Sequence, residues 1–142
     1  IGIPKKVSVI ESLSFQSTSG MKGTPAFTAP ETLLSYDYSK AGDVYSFAFI
    51  VYELMCNDVP FKNESMNQIF SEVIDGNRPE FYQSLPDCYQ QLIEKCWDND
   101  PNERPSFDEI VEHLKSEKEF ITDTVNIDEF YAYVKYIDNY NK

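Results

Sequence analysis

Residues 43–56 read Asp-Val-Tyr-Ser-Phe-Ala-Phe-Ile-Val-Tyr-Glu-Leu-Met-Cys, apolar on nearly every face of a helix. That pattern predicts a helix surrounded by protein, the core of its domain, and one too short and interrupted to span a bilayer. The segments after it are amphipathic. Ser65 with Gln68 makes a capping-box pattern before Ile69, Phe70, Val73 and Ile74, and Gly76 supplies a stop. Pro86 opens another helix, with Tyr89, Leu92, Ile93 and Cys96 spaced as one buried stripe. Ser106 and Glu109 repeat the box ahead of Ile110, Val111 and Leu114, opening a third surface helix. Finally Ile127, Phe130, Tyr131, Val134, Ile137 and Tyr140 recur every three or four residues, which predicts a terminal amphipathic helix that needs a surface to dock on.

Ahead of Pro30 the text changes character. Residues 1–28 have little sustained period and many Ser, Thr, Gly and Lys residues, so they read as a long loop with 7–10 its one strand-like stretch. Irregular loops of this length are uncommon in compact domains and are usually functional or disordered. No repeat or low-complexity tract interrupts the chain. Pattern alone therefore gives an all-α domain around one buried helix, preceded by a functional loop.

Composition narrows the class. With 42% hydrophobic and 15% aromatic side chains, 142 residues can fold as one globular domain of ordinary size. The 24 acidic and 12 basic side chains give a net charge of -12, a field that repels phosphate backbones and anionic lipid heads. Nucleic-acid binding and direct membrane contact are thereby disfavoured. Lys5 and Lys6 are either solvated loop lysines or a small patch for an acidic or phosphorylated group. Cys56, Cys88 and Cys96 are odd in number, widely spaced and accompanied by a single histidine, His113, so neither zinc nor a disulfide framework follows. They read as small buried hydrophobes in a reducing cytosol, and His113 as a surface helix residue. The start shows no signal-peptide pattern and no initiator methionine, which leads us to expect a piece of a larger protein.

Three segments, taken together, resemble the C-lobe of a eukaryotic protein kinase, particularly the tyrosine-kinase-like serine/threonine group. Gly23-Thr24-Pro25-Ala26-Phe27-Thr28-Ala29-Pro30-Glu31 is similar to the end of an activation segment with its Ala-Pro-Glu motif. The buried helix starting Asp43-Val44-Tyr45-Ser46-Phe47 is the second, and Cys96-Trp97 through Arg104-Pro105-Ser106-Phe107 the third. The match runs from about Gly2 to Leu114. It implies a mainly α fold: residues 1–115 as the C-terminal part of a kinase domain, with 1–31 its activation segment and 32–115 its helical core. Residues 116–142 would be a C-terminal extension with an amphipathic helix.

The resemblance also assigns roles. It implies an ion pair between Glu31 and Arg104, in which a planar guanidinium holds a carboxylate by two parallel hydrogen bonds and clamps the end of the loop to the helical core. Asp43 matches the aspartate that receives catalytic-loop backbone hydrogen bonds; with that loop absent, it is left the role of helix cap. Trp97 is a structural residue of the third segment. Thr24 matches a threonine that contacts the catalytic aspartate, and Gly23, Thr24, Pro25, Ala26 and Phe27, with Thr28 beyond, match the wall that receives the substrate, which favours serine/threonine specificity. Ser17, Thr18 and Ser19 are the phosphoacceptor candidates of the loop, against the alternative of a solvated loop whose hydroxyls do nothing. Ile1-Gly2 resembles the end of an Asp-Phe-Gly stretch, with Glu11-Ser12-Leu13 as the other register.

Much of a kinase is missing from the sequence. It has no glycine-rich phosphate loop, no Val-Ala-Ile-Lys lysine and no His-Arg-Asp loop, the parts that hold the phosphates, metals and nucleophile. No catalytic residue and no metal or cofactor site is thus expected in this chain, with ATP and Mg held in an intact parent. Two functions stay open: part of an active serine/threonine kinase, or part of a pseudokinase or scaffold that uses the C-lobe as a binding surface. Ala48 and Tyr52 stand where the family commonly has glycine and this group often has tryptophan. Expected partners are a protein substrate or a regulatory protein, and the expected location is the cytoplasm or the cytoplasmic side of a membrane-anchored parent.

Overall fold

A computed structural model of the chain describes residues 25–81 and 84–140. All regular structure among the described residues is helical. In order they are a 3-10 turn at Pro25–Phe27, α1 (Pro30–Ser35), α2 (Lys40–Cys56), α3 (Met66–Ile74), α4 (Asp87–Cys96), a 3-10 turn at Pro101–Glu103, α5 (Phe107–Ser116), a 3-10 turn at Lys118–Phe120 and α6 (Ile127–Tyr140). They form two compact units, the first ending at Ser106 and the second starting at Phe107. The strand-like stretch at 7–10, Lys5, Lys6 and both registers of the Asp-Phe-Gly resemblance lie outside the described residues. No helix among the described residues is long and apolar enough to cross a membrane.

In the first unit α2 is the central element, packed against α4 and against both the Pro25–Phe27 and Pro101–Glu103 turns. It begins earlier than the apolar pattern. Ser39 is the N-cap, its hydroxyl accepting from the Gly42 N–H at 3.1 Å. Asp43 therefore does not cap the helix; it sits in the first turn, where a carboxylate favours the positive end of the helix dipole. Periodicity missed Lys40, Ala41 and Gly42 because they carry no apolar signal. Val44, Tyr45, Ala48, Phe49, Tyr52 and Cys56 are buried. Phe47, Ile50 and Val51 are half-buried and Leu54 is 76% exposed, so the described residues do not surround α2 on every side.

Aromatic rings fill the space between α2 and α4. Phe49 lies 5.1 Å from Tyr45, 5.1 Å from Trp97 and 5.8 Å from Phe27, centroid to centroid. Trp97, just past the end of α4, in turn meets Tyr52 at 5.9 Å and Phe81 at 5.6 Å. These spacings suit tilted and edge-to-face contact, about 0.5–1.5 kcal/mol per pair beyond burial. Tyr52, in place of the tryptophan common in the group, keeps its hydroxyl satisfied by donating to the Glu80 carbonyl at 2.7 Å. From α4, Cys88, Leu92, Ile93 and Cys96 are buried, while Tyr89 is only half-buried, one turn short of the stripe the spacing predicted.

The ends of α3 follow the sequence closely. Ser65 Oγ accepts from the Gln68 N–H at 3.2 Å while Gln68 Oε1 accepts from the Ser65 N–H at 2.7 Å, the reciprocal capping box. At the other end Gly76 has φ 86°, a left-handed conformation that costs glycine nothing. Its N–H donates to the Val73 carbonyl and the Asn77 N–H to the Glu72 carbonyl, closing the helix in a Schellman arrangement. All three cysteines are buried, and burial pushes the Cys96 thiol up to about 12.

The second unit departs further from expectation. On the surface helix α5, Ile110 is buried, Leu114 half-buried and Val111 48% exposed. Helix α6 forms where periodicity placed it, yet it has no buried residue: Phe130, Val134 and Ile137 are half-buried, and Ile127, Tyr131 and Tyr140 are exposed. Period fixes which side of a helix is apolar; it does not supply a cover. An ion pair joins α6 to α5, with Lys115 Nζ 2.7 Å from Asp138 and 3.7 Å from Glu112 on its own helix. His113 is exposed on α5.

Removing the α3 box gives a clean check on this reading. Ser65→Ala strands the Gln68 N–H, and chemical denaturation should show about 1 kcal/mol less stability; an unchanged midpoint would mean that the box contributes nothing.

Candidate functional site

The segment from Pro25 to Glu31 is positioned by local backbone rules. Thr28 N–H donates to the Pro25 carbonyl at 3.3 Å, closing the 3-10 turn, and Ala29 then takes the extended conformation (φ -60°, ψ 146°) that a following proline enforces. Pro30 opens α1, where its missing N–H costs nothing. Ser46 on α2 donates its hydroxyl to the Phe27 carbonyl, nineteen residues back, and fastens the turn to the core helix. Of the residues that resemble a substrate wall, Pro25, Ala26 and Thr28 are buried and Phe27 is half-buried. Phe27 thus offers more accessible surface than its neighbours. Gly23, Thr24, Ser17, Thr18 and Ser19 lie outside the described residues.

Glu31, in the first turn of α1, points at Arg104. Asp98 and Asp100 shape the loop that delivers the arginine: Asp98 Oδ1 accepts from the Asp100 N–H at 2.8 Å and Asp100 Oδ1 from the Asn102 N–H at 2.9 Å. Arg104 is extended (φ -74°, ψ 138°) ahead of Pro105, which sends its side chain inward from the turn. There Nη1 donates to Glu31 Oε1 at 2.7 Å and Nη2 to Oε2 at 3.0 Å, a bidentate pair. Nη1 also donates to the Ala41 carbonyl at 3.0 Å, and Nε to the Asp98 carbonyl at 2.9 Å. The arginine side chain is 0% exposed and that of Glu31 22%, so water reaches the carboxylate but not the guanidinium. One side chain thereby joins α1, the start of α2 and the loop after α4.

A second arginine enters the same place. Arg78, in the loop after α3, donates Nε to the Trp97 carbonyl at 2.9 Å and Nη1 to the Asn77 carbonyl at 2.8 Å, with the Val73 carbonyl at 3.3 Å. Nη2 reaches Asn99 Oδ1 at 3.2 Å. Its guanidinium and that of Arg104 each lie over the Tyr45 ring, 5.0 Å from its centroid. Tyr45 is fully buried, its hydroxyl has no partner among the described residues, and burial pushes the phenol well above its usual range against the opposing pull of the two arginines. Desolvation lowers the Arg78 pKa. Sequence reasoning missed Arg78. The signal was available: the chain has two arginines, and each is followed by proline.

Asp43 shares the first turn of α2 with the Ala41 carbonyl that Arg104 holds. Trp97 contributes its ring to the core and its carbonyl to Arg78. Among the described residues no group of three or more His, Cys, Asp or Glu side chains converges to hold a metal ion. This donor set is two arginines, one glutamate and backbone carbonyls. Its chemistry is mechanical: it fixes the Pro25–Glu31 segment to a helical core through one charge pair whose guanidinium is desolvated.

A turn and Ala-Pro-Glu segment clamped by a buried arginine to a central helix agrees with the comparisons to known proteins. The family described as protein tyrosine and serine/threonine kinase matches residues 1–114, and the chain belongs to that family. It is 38% identical over 107 residues to Dual specificity protein kinase shkE of Dictyostelium discoideum, covering 74% of this chain and 15% of that protein. It is 38% identical over 120 residues to Serine/threonine-protein kinase VIK of Arabidopsis thaliana, covering 83% and 27% respectively. Dual specificity protein kinase shkC of Dictyostelium discoideum is 37% identical over 98 residues, 68% and 19%. The chain therefore spans between 15% and 27% of the length of these relatives.

The clamp makes an energetic prediction. Arg104→Ala removes the partner of Glu31 and of two carbonyls inside the fold, and should cost about 3–5 kcal/mol by denaturant titration. Lys62→Ala, which breaks the exposed pair with Asp58, should cost less than about 1 kcal/mol. Equal losses would contradict a buried clamp. Tyr45→Phe should be neutral or stabilising in the same assay, because it deletes a buried hydroxyl with no partner among the described residues; a loss above about 1 kcal/mol would show that the hydroxyl is bonded.

Proposed function

We propose that this chain is the C-terminal, helical part of a serine/threonine protein kinase of the tyrosine-kinase-like group, and that its task is to hold the end of the activation segment in register for a protein substrate. The observation that carries the reading is the bidentate Glu31–Arg104 pair, 2.7 and 3.0 Å, between the Ala-Pro-Glu segment and the core. Family membership and the serine/threonine and dual-specificity relatives support it. In this reading the segment Gly23, Thr24, Pro25, Ala26 and Phe27 receives the substrate, with Phe27 its more accessible described residue. Thr24 would contact the catalytic aspartate of a loop that is not in this sequence. ATP and Mg would bind to residues elsewhere in the parent, which we place in the cytoplasm. Phosphate on Ser17, Thr18 or Ser19 would meet basic partners supplied by the parent and order the loop, since it adds about -1.5 to -2 charges and strong acceptors.

The test is phosphoryl transfer. The 142-residue chain incubated with Mg-ATP and a generic protein acceptor should transfer nothing, whereas the complete protein that carries it should phosphorylate serine and threonine. The same complete protein with Arg104→Ala should lose that activity. Absence of transfer by the complete protein, or transfer to tyrosine alone, would overturn the assignment.

A further inference from the structure

Tyr45 has an unusual anchor. A buried tyrosine is ordinarily held by a hydrogen bond from its hydroxyl, and among the described residues this one has none. Its position rests on packing against Phe49 at 5.1 Å and on the two guanidiniums over its ring. Of those, Arg104 is also the arm of the clamp, whereas Arg78 forms no ion pair with Glu31 and is held by backbone on both sides of the core, at Val73 of α3, at Asn77 in the loop after it and at Trp97 just past α4.

We infer that Arg78 is a positioning residue for the clamp: it fixes the Tyr45 ring, the ring sets the plane over which Arg104 lies, and the loop after α3 is thereby coupled to the Pro25–Glu31 segment. The physical basis is additive constraint on one aromatic ring. Two cations close to each other repel, and the electron-rich ring is what lets both approach within 5.0 Å of its centroid. Desolvation strengthens that attraction. The planar fork of Arg78 bonds three carbonyls and one amide oxygen while its face stays on the ring; a lysine can supply the charge but not that geometry. Anything that moves the end of α3 therefore pulls on the ring that steadies Arg104. The inference deepens the reading of the clamp given above and depends on the kinase assignment only for its consequence to activity.

Hydrogen exchange on the full chain tests it, and the kinase assay on the complete protein separately tests the assignment, so the two can fail independently. In Arg78→Gln the amides of Thr32 and Leu33, which donate to the Ala29 carbonyl, should exchange about tenfold faster although they lie on α1, remote in sequence from the substitution. The Asn57 amide at the far end of α2, which donates to Glu53, should keep its rate. In an Arg104→Met background the further change Arg78→Gln should leave Thr32 and Leu33 unaltered, because the arm through which it acts is gone. Should Arg78→Gln raise exchange throughout the first unit, Arg78→Lys, which keeps the charge and loses the fork, takes its place with the same expectation. Faster exchange confined to Gly76, Asn77 and Trp97, or equal effects of Arg78→Gln with and without Arg104, would reduce Arg78 to a local loop anchor and overturn the inference.

Discussion

A guanidinium with no exposed surface has to find its hydrogen-bond partners inside the protein, and the geometry of those partners then fixes whatever carries them. Arg104 finds four: two oxygens of Glu31, the carbonyl of Ala41 and the carbonyl of Asp98. These belong to three places in the chain that no regular secondary structure joins. Hydrogen-bond geometry is directional, so satisfying all four at once admits little freedom in how α1, the start of α2 and the loop after α4 meet. Burial of a charge is costly, and the four directional bonds both offset that cost and set register. A well-packed apolar substitute could match the packing energy but would carry none of those bonds.

Around that pair the aromatic core performs a different task. Phe49 and Trp97 contribute large apolar faces, and the rings of Tyr45, Tyr52, Phe27 and Phe81 tile against them. Such surfaces are not directional enough to specify one arrangement. The polar handles do that: Tyr52 to Glu80, Ser46 to Phe27 and Arg78 to Trp97 each attach a ring-bearing segment to a neighbour. Non-directional burial and directional bonds thus divide the work, and substitutions in the two classes should have different signatures, loss of stability for the rings and loss of register for the bonds.

The parts of this arrangement legible in the sequence are those set by neighbours along the chain. Ser65, Gln68 and Gly76 specify both ends of α3, because a cap and a left-handed stop are local events within one or two turns. The stripe of α4 was readable for the same reason, apart from Tyr89. Glu31 and Arg104, 73 residues apart, share no local signal, and it was the family resemblance that named them together. Ser39 was missed as the start of α2 because its cap precedes residues with no apolar period. The apolar sides of α5 and α6 were readable but their cover was not, since periodicity records a helix's apolar side without recording what lies against it. Arg78 was overlooked for a subtler reason: its meaning depends on where Tyr45 sits, and nothing near it in sequence says so.

The arginine content itself follows from this geometry. Ten of the twelve basic side chains are lysines, and in an acidic protein lysine serves a solvated surface as well as arginine does. The two arginines both lie at a position where a cation must contact an aromatic face and several oxygens at once. An ammonium on a flexible stem offers a point charge with no plane, so it cannot stack and fork together. Proline after each arginine completes the arrangement by holding the preceding backbone extended, which leaves the long side chain to reach inward rather than lie along a helix. Arginine before proline is thus a physical requirement at these two positions, and the same dipeptide on the surface of the chain would have nothing to satisfy.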